Sequence, residues 1–248
     1  MGGELMNTYY EITVCIYLKE DIWQNNVQEE LSKFLNNSLC KSEYLKNIHI
    51  NKRIKGYSFS NIYPQEKDLI YKKDSIYSFK IRTWDNKFAE ELCKNLYCFG
   101  NEKFIVVGLS NKQHSINKKI ESLYTLTPAI ITIKENDKFR AWENKDNIVL
   151  LKTILFNNLK MKFYNLYKTE YVSESEDVFK EVKVIRRLKT RYKNVNLISY
   201  NLKLDFLDTI NAQILAKIAY VNGIGSKNSS IGAGFIHDIR RGITADAE

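Results

Sequence analysis

Proline occurs only twice in the 248 residues and glycine only ten times. That excludes a Pro- or Gly-rich linker, so any domains in the chain are expected to pack together rather than swing freely. The four cysteines, Cys15, Cys40, Cys93 and Cys98, form no CxxC pair. They suggest neither a disulfide scaffold nor a redox motif; reduced thiols in a cytoplasmic protein are expected. The three histidines, His49, His114 and His237, are scattered and give no zinc framework even with the cysteines, so no metal and no cofactor is expected. No apolar run approaches the ~18 residues of a membrane span. The N-terminus lacks a basic stretch followed by an apolar one, so no signal peptide is expected either. Met1 to Leu5, ahead of Met6, read as an added leader and are set aside.

What is present is hydrophobic material for a core, 44% of residues, and a formal charge of +9. The charge favours a polyanionic partner, nucleic acid before acidic membrane. The length suits one large domain or two of about 120 residues.

The apolar pattern supports two. "TYYEITVCIYL" from Thr8 reads as a strand, and Val27, Leu31, Phe34, Leu35 and Leu39 as one helical face. "KGYSFS" and "SIYSFKIRTW" read as strands, the second with Tyr77, Phe79 and Ile81 on one side. Phe88, Leu92 and Leu96 mark a second helix, and "KFIVVGL" from Lys103 closes as a strand. The second half repeats this order. It has a strand "AIITI" from Ala129, a long helix through Leu151, Leu155, Leu159 and Leu166, strands over 178–193 and 195–206, a short helix through Ile210, Ile214 and Ile218, and a last strand "GFIHDIRR". The expected class is α+β, with two tandem ferredoxin-like (RRM-like, βαββαβ) domains. They are placed at 6–115 and 125–243, joined around residues 112 to 127.

"GIGSKNSSIGAGF", Gly223 to Phe235, holds four of the ten glycines. Glycine-dense loops leave N–H groups open and commonly cradle anions, phosphate above all. Gly223-x-Gly225 also begins a dinucleotide fingerprint, but that fingerprint follows a strand and opens a helix, whereas here a helix precedes and a strand follows. A second feature is "RRLKTRYK", Arg186 to Lys193, with five basic residues in eight. Such a run is usually a solvated face. On a hairpin it can also grip phosphates.

Three features carry a resemblance that spans residues 8 to 242. They are the tandem ferredoxin-like order, "YVNGIGSKNSSIGAGF" between the last helix and last strand, and "HINKRIKGYSFS" after the first helix. The chain resembles the CRISPR-associated endoribonucleases that cut the repeat transcript into guide RNAs, members of the repeat-associated (RAMP) superfamily. The resemblance implies CRISPR repeat RNA as substrate and partner. It leaves open a homodimer and association with other effector subunits. His49 alone reads as a surface-loop histidine; with the resemblance, and with Lys46, Lys52, Arg53 and Lys55 around it, it reads as catalytic.

The implied chemistry needs no metal. The 2′-OH attacks the adjacent phosphorus, the 5′-oxygen leaves, and a 2′,3′-cyclic phosphate remains. A histidine can move the protons and a lysine can steady the phosphorane charge. His49, Lys52 and Lys55 supply these types, with Lys55, directly before "GYSFS", at the family lysine's place. The resemblance assigns RNA backbone contacts to Gly223, Gly225, Lys227, Asn228, Ser229, Gly232 and Gly234. It assigns the stem-loop to the hairpin residues Arg186, Arg187, Lys189, Arg191 and Lys193. One departure stands out: where some family members carry a catalytic tyrosine in the first helix, this chain has Phe34. The alternative is a non-cleaving RAMP subunit that holds guide RNA in an effector complex. A generic RRM protein is disfavoured, because no "GFGFV"-type strand is present. His114, in the expected connector, and His237, beside Asp238, read as structural or solvated.

Overall fold

The structure, a computed structural model, describes residues 7–51, 54–136, 138–172, 177–193 and 195–238. The chain starts in β1 (Thr8–Leu18), where the alternating Ile12, Val14, Ile16 and Leu18 are all buried, as a half-covered strand requires. After β2 (Ile22–Trp23), helix α1 (Gln24–Leu39) buries Val27, Leu31, Phe34, Leu35 and Leu39 along one stripe. Helix α2 (Glu43–Ile50) is started by Ser42, whose side chain accepts from the Leu45 N–H. Such a cap is worth about 1 kcal/mol. Then come β3 (Tyr57–Phe59), β4 (Ile70–Tyr71), β5 (Ile76–Thr83), α3 (Asn86–Leu96, capped by Asp85) and β6 (Phe104–Ser115). The sheet order is β3-β5-β1-β6 with every pair antiparallel, the ferredoxin-like arrangement.

The second unit follows after a connector shorter than the sequence suggests. Strand β6 runs on to Ser115, paired with Thr8, and β7 (Ser122–Thr125) is already the first strand of the second sheet. His114 is therefore not in a linker; it lies in β6 with its ring stacked on Tyr9 at 5.2 Å. The "AIITI" segment is likewise displaced. Ala129 and Ile130 make only single bridges, and the rest enters the small hairpin of β8 (Thr132–Glu135) and β9 (Lys138–Ala141). Helix α4 (Ile148–Tyr167), β10 (Phe179–Tyr192), β11 (Val195–Phe206), α5 (Ile210–Asn222), α6 (Asn228–Ile231) and β12 (Ile236–Asp238) complete the fold. The order β10-β11-β7-β12 repeats that of the first sheet, so the chain is α+β with two tandem ferredoxin-like units. No helix among the described residues is long and apolar enough to cross a membrane.

Period-two alternation explains how the units join. Tyr77, Phe79 and Ile81 face the first core, so Arg82 projects from the opposite face of β5. There it is 3% exposed. Its Nε donates to Glu11 Oε2 at 2.8 Å, and its Nη1 donates to the carbonyls of Ile236 at 2.7 Å and Tyr220 at 3.2 Å. The guanidinium also lies over the rings of Tyr220 and Phe235, a cation–π setting. Trp84 Nε1 donates to Asn222 Oδ1 at 2.6 Å across the same junction. Burial works against the Glu11 carboxylate, but Arg82 and Lys80 hold its pKa down at about 2.

Candidate active site

His49 is not on a loop. It occupies the last turn of α2, half-buried. The backbone turns extended at Asn51 and returns to β3 with Lys55 just ahead of it. This brings Lys55 Nζ to 3.2 Å from His49 Nδ1. Burial, then the Lys55 charge, lowers the His49 pKa below its usual 6.5. Burial likewise lowers that of Lys55. An ammonium only donates, so the contact makes Nδ1 the acceptor and leaves the neutral ring's proton on Nε2. Lys52, the other lysine read from the sequence, lies outside the described residues, as does Arg53.

The pair opens into a cleft of about 500 Å³ between the two units. Helix α4 contributes Asn158 and Lys162 to its wall, and the glycine loop contributes Ser226, Lys227 and Ser229. The histidine–lysine pair and the loop, far apart from each other in sequence, thus share one cavity.

The glycine loop differs from the expected open cradle. Gly223, Gly225, Gly232 and Gly234 are all buried and all at positive φ, between 65° and 75°. The N–H groups of Ile224, Ser226, Gly234 and Phe235 donate to Gly234 O, Ile130 O, Pro128 O and Thr127 Oγ1, and those of Ser230 and Ile231 to Lys227 O. Asn228 is turned inward too, its amide donating to Ile224 O at 2.9 Å and Ala233 O at 2.6 Å. The glycines are needed for close approach. A Cβ on Gly234 would sit 2.0 Å from Ile224 O, and one on Gly232 would sit 2.6 Å from Phe59 O. The loop packs on the first unit, where Tyr57 Oη donates to Ser229 O at 3.1 Å and Ser32 Oγ donates to Ser230 O. Of the loop residues singled out in the sequence, Lys227 is exposed and Ser229 half-exposed.

Sequence reading missed Lys162. It is 4% exposed, and its Nζ donates to Gly223 O at 2.7 Å, Gly225 O at 3.3 Å and Asn228 Oδ1 at 2.8 Å. Burial pushes its pKa down to about 7. Three oxygens accept from it, one for each donor that the ammonium form brings. The available signal was positional: Lys162 falls three residues after Leu159 and seven after Leu155, on the buried stripe of α4, where a lysine has no place unless it is paired.

The basic hairpin is divided. Strand pairing sets Arg187, Lys189 and Arg191 opposite Tyr200, Ile198 and Asn196, with a register shift between Val184 and Arg186. Alternation puts Arg187, Lys189 and Arg191 on one face and Arg186 on the other. All four are exposed. Lys193 is at the turn, with its N–H on Glu29 of α1 at 3.2 Å. Lys227 Nζ stands 5.4 Å from the Tyr192 ring, so the hairpin tip touches the loop that lines the cleft. Phe34 is fully buried against Phe99 and Phe104 and presents nothing to the cleft. His237 pairs with Tyr124 in β12. Among the described residues, no three His, Cys, Asp or Glu side chains gather as a metal ion would need.

A family model described as "CRISPR associated protein Cas6, C-terminal" matches residues 109–237, just over half of the chain. A solved structure described as "CRISPR associated protein Cas6" aligns with a TM-score of 0.70 at 22% identity, over 93% of this chain and 99% of that one. "An RAMP protein binding different RNA substrates" aligns at 0.71 with 15% identity, over 92% and 98% of the two chains. A third, "Characterization of a Cas6-related gene from Pyrococcus furiosus", aligns at 0.68 with 17% identity, over 93% and 98%. At these identities the structural likeness is one of fold. No curated protein matches the chain in sequence.

Proposed function

The chain belongs to the CRISPR-associated Cas6 family, and from that premise we propose that it binds CRISPR repeat RNA and cuts it without a metal, releasing guide RNAs. The observation that carries the reading is the His49–Lys55 contact at 3.2 Å, inside a cleft edged by the glycine loop. The named relatives, one described as binding RNA substrates, support an RNA partner.

A scissile phosphate drawn between the two side chains offers the Lys55 ammonium an anionic partner in place of Nδ1. The freed nitrogen then takes the 2′-OH proton, the 2′-oxygen bonds to phosphorus, and Lys55 steadies the charge of the phosphorane. The P–O5′ bond breaks, and the leaving oxygen takes a proton from water to become a 5′-hydroxyl, while the His49 imidazolium returns its proton to the solvent. The other product ends in a 2′,3′-cyclic phosphate. A depressed His49 pKa keeps the imidazole neutral at pH 7, which is the form a base needs.

A specific observation supports a second reading, a non-cleaving RAMP-type subunit: Phe34 is buried and without a hydroxyl, where some family members carry a catalytic tyrosine. One incubation of end-labelled repeat RNA with the protein in EDTA separates the two. Discrete products with the ends described are expected; RNA bound but uncut would favour the holding subunit.

A further inference from the structure

Helix α4 carries a second groove beside the catalytic cleft. Its last two turns place Lys160, Met161 and Tyr164, and its cap places Lys168, along one side, facing Ile54 and Tyr171 across a space of about 760 Å³. Tyr164 is 56% exposed and Met161 54%, although both are large and apolar-bodied. The groove is continuous with the site already described. Ile54 and Met161 also line the cleft that holds His49, and Ile54, Asn165 and Lys168 also line the one that holds Lys55.

We infer that this groove is a nucleobase subsite. A base of the RNA strand flanking the scissile phosphate stacks on the Tyr164 ring, with Met161 and Ile54 as its apolar floor. Lys160 and Lys168 meet the adjoining phosphates. The inference rests on the RNA-cutting reading above and says where the strand goes as it leaves the cut.

Three features favour an RNA strand over a protein segment. First, the exposed aromatic stands between two lysines that line the groove, Lys160 one turn before it on the helix and Lys168 at the left-handed cap that ends the helix. Proteins that hold single strands combine this kind of stacking surface with positive charge. Second, the stretch from Lys160 to Tyr167 is only ~10 Å of helix, which suits a base and its phosphates better than a folded partner. Third, the groove runs into the cavity where the scissile phosphate would be placed, so a strand cut there has to pass along one of the neighbouring surfaces. Glu170 at the rim offers an acceptor for a base amino group.

The test is equilibrium binding and cleavage of repeat RNA carrying one 2-aminopurine, placed in turn at each position flanking the cut. With wild-type protein, one position should lose fluorescence on binding as its base stacks. Tyr164→Ala should abolish that quench and weaken binding by about 5- to 150-fold, the range for losing one stacked base. Tyr164→Trp should keep both. Because the ring is exposed, neither change should disturb the fold. If Tyr164→Ala keeps wild-type affinity and quench while the RNA is still cut, the subsite is overturned, the nuclease stands, and the groove is left to a protein partner. If wild-type protein binds no repeat RNA, both are overturned.

Discussion

The Lys55 ammonium meets the His49 imidazole at 3.2 Å, although one residue precedes β3 and the other closes α2. Burial lowers the proton affinity of both, and for His49 the lysine charge is the second cause. In an NMR titration His49 should therefore protonate below pH 6.5. Lys55→Met should move its pKa upward, since a positive neighbour is removed. Because the folded pKa lies below the unfolded one, the unfolded chain binds more protons between the two values. Stability should then rise with pH across the window just below 6.5, and His49→Ala should flatten that rise. A His49 pKa that does not move in Lys55→Met would show that the pair is not coupled in solution.

Arg82 is expected to be the most sensitive position at the junction of the two units. Arg82→Leu leaves the buried Glu11 carboxylate with Lys80 alone and two carbonyls without their donor. The destabilisation should be about 3–5 kcal/mol in urea denaturation, the usual result of breaking a buried pair by removing one partner. The Glu11 pKa of about 2 adds a signature. Its stabilisation is present above the usual carboxylate pKa and disappears as pH falls toward 2, and in Arg82→Leu that acid-sensitive part should shrink. A change under ~1 kcal/mol, well below the range for a broken buried pair, would mean that the junction rests on apolar packing.

The glycine loop should separate stability from binding. Lys162→Met strips a donor from Gly223 O, Gly225 O and Asn228 Oδ1, at about 1–3 kcal/mol for each buried acceptor left unsatisfied. Gly234→Ala forces a Cβ to 2.0 Å from Ile224 O and should lower Tm as well. Lys227→Ala, at an exposed position, should leave Tm unchanged and weaken RNA affinity. A Lys227→Ala variant that lowers Tm, or a Lys162→Met variant that does not, would contradict this division.

On the hairpin, Arg187, Lys189 and Arg191 share a face. Replacing all three by alanine should reduce the slope of log K against log salt by about 0.7 for each single-strand phosphate that these side chains neutralise. Arg186→Ala, on the opposite face, serves as the internal comparison and should change the slope by at most one such step. An unchanged slope in the triple variant would make this face a solvated one.

Much of the fold was legible because its strands and helices bury simple periodic patterns. β1, α1, β5, α3, β10 and β11 fall where alternation or helical spacing puts them. β7 was not legible: "SLYT" is four residues long, and its place is fixed by pairing with the distant β11 and β12. His49 and Lys55 were singled out through the family resemblance; their short separation alone left His49 a surface-loop histidine and Lys52 an equal candidate. Arg82 was not legible, because a buried cation is recognised by the carbonyls around it, and those come from the far end of the chain; Lys162 was marked only by its place on the buried stripe of α4, its partners being equally distant in sequence. The same holds for the glycine loop. Composition marked it as special, while the inward direction of its N–H groups depends on partners such as Pro128 and Ile130.

The most direct test is cleavage of repeat RNA in EDTA, with the cut-site nucleotide as ribose or 2′-deoxyribose, by wild type and by His49→Ala. Wild type should cut the ribose substrate to a 2′,3′-cyclic phosphate and a 5′-hydroxyl. It should bind the deoxy substrate with similar affinity and leave it whole. His49→Ala should bind both and cut the ribose substrate about 10²–10⁴-fold more slowly, as expected on losing a general acid–base group. Cleavage of the deoxy substrate, or wild-type rates from His49→Ala, would contradict the account and place the reaction elsewhere in the molecule.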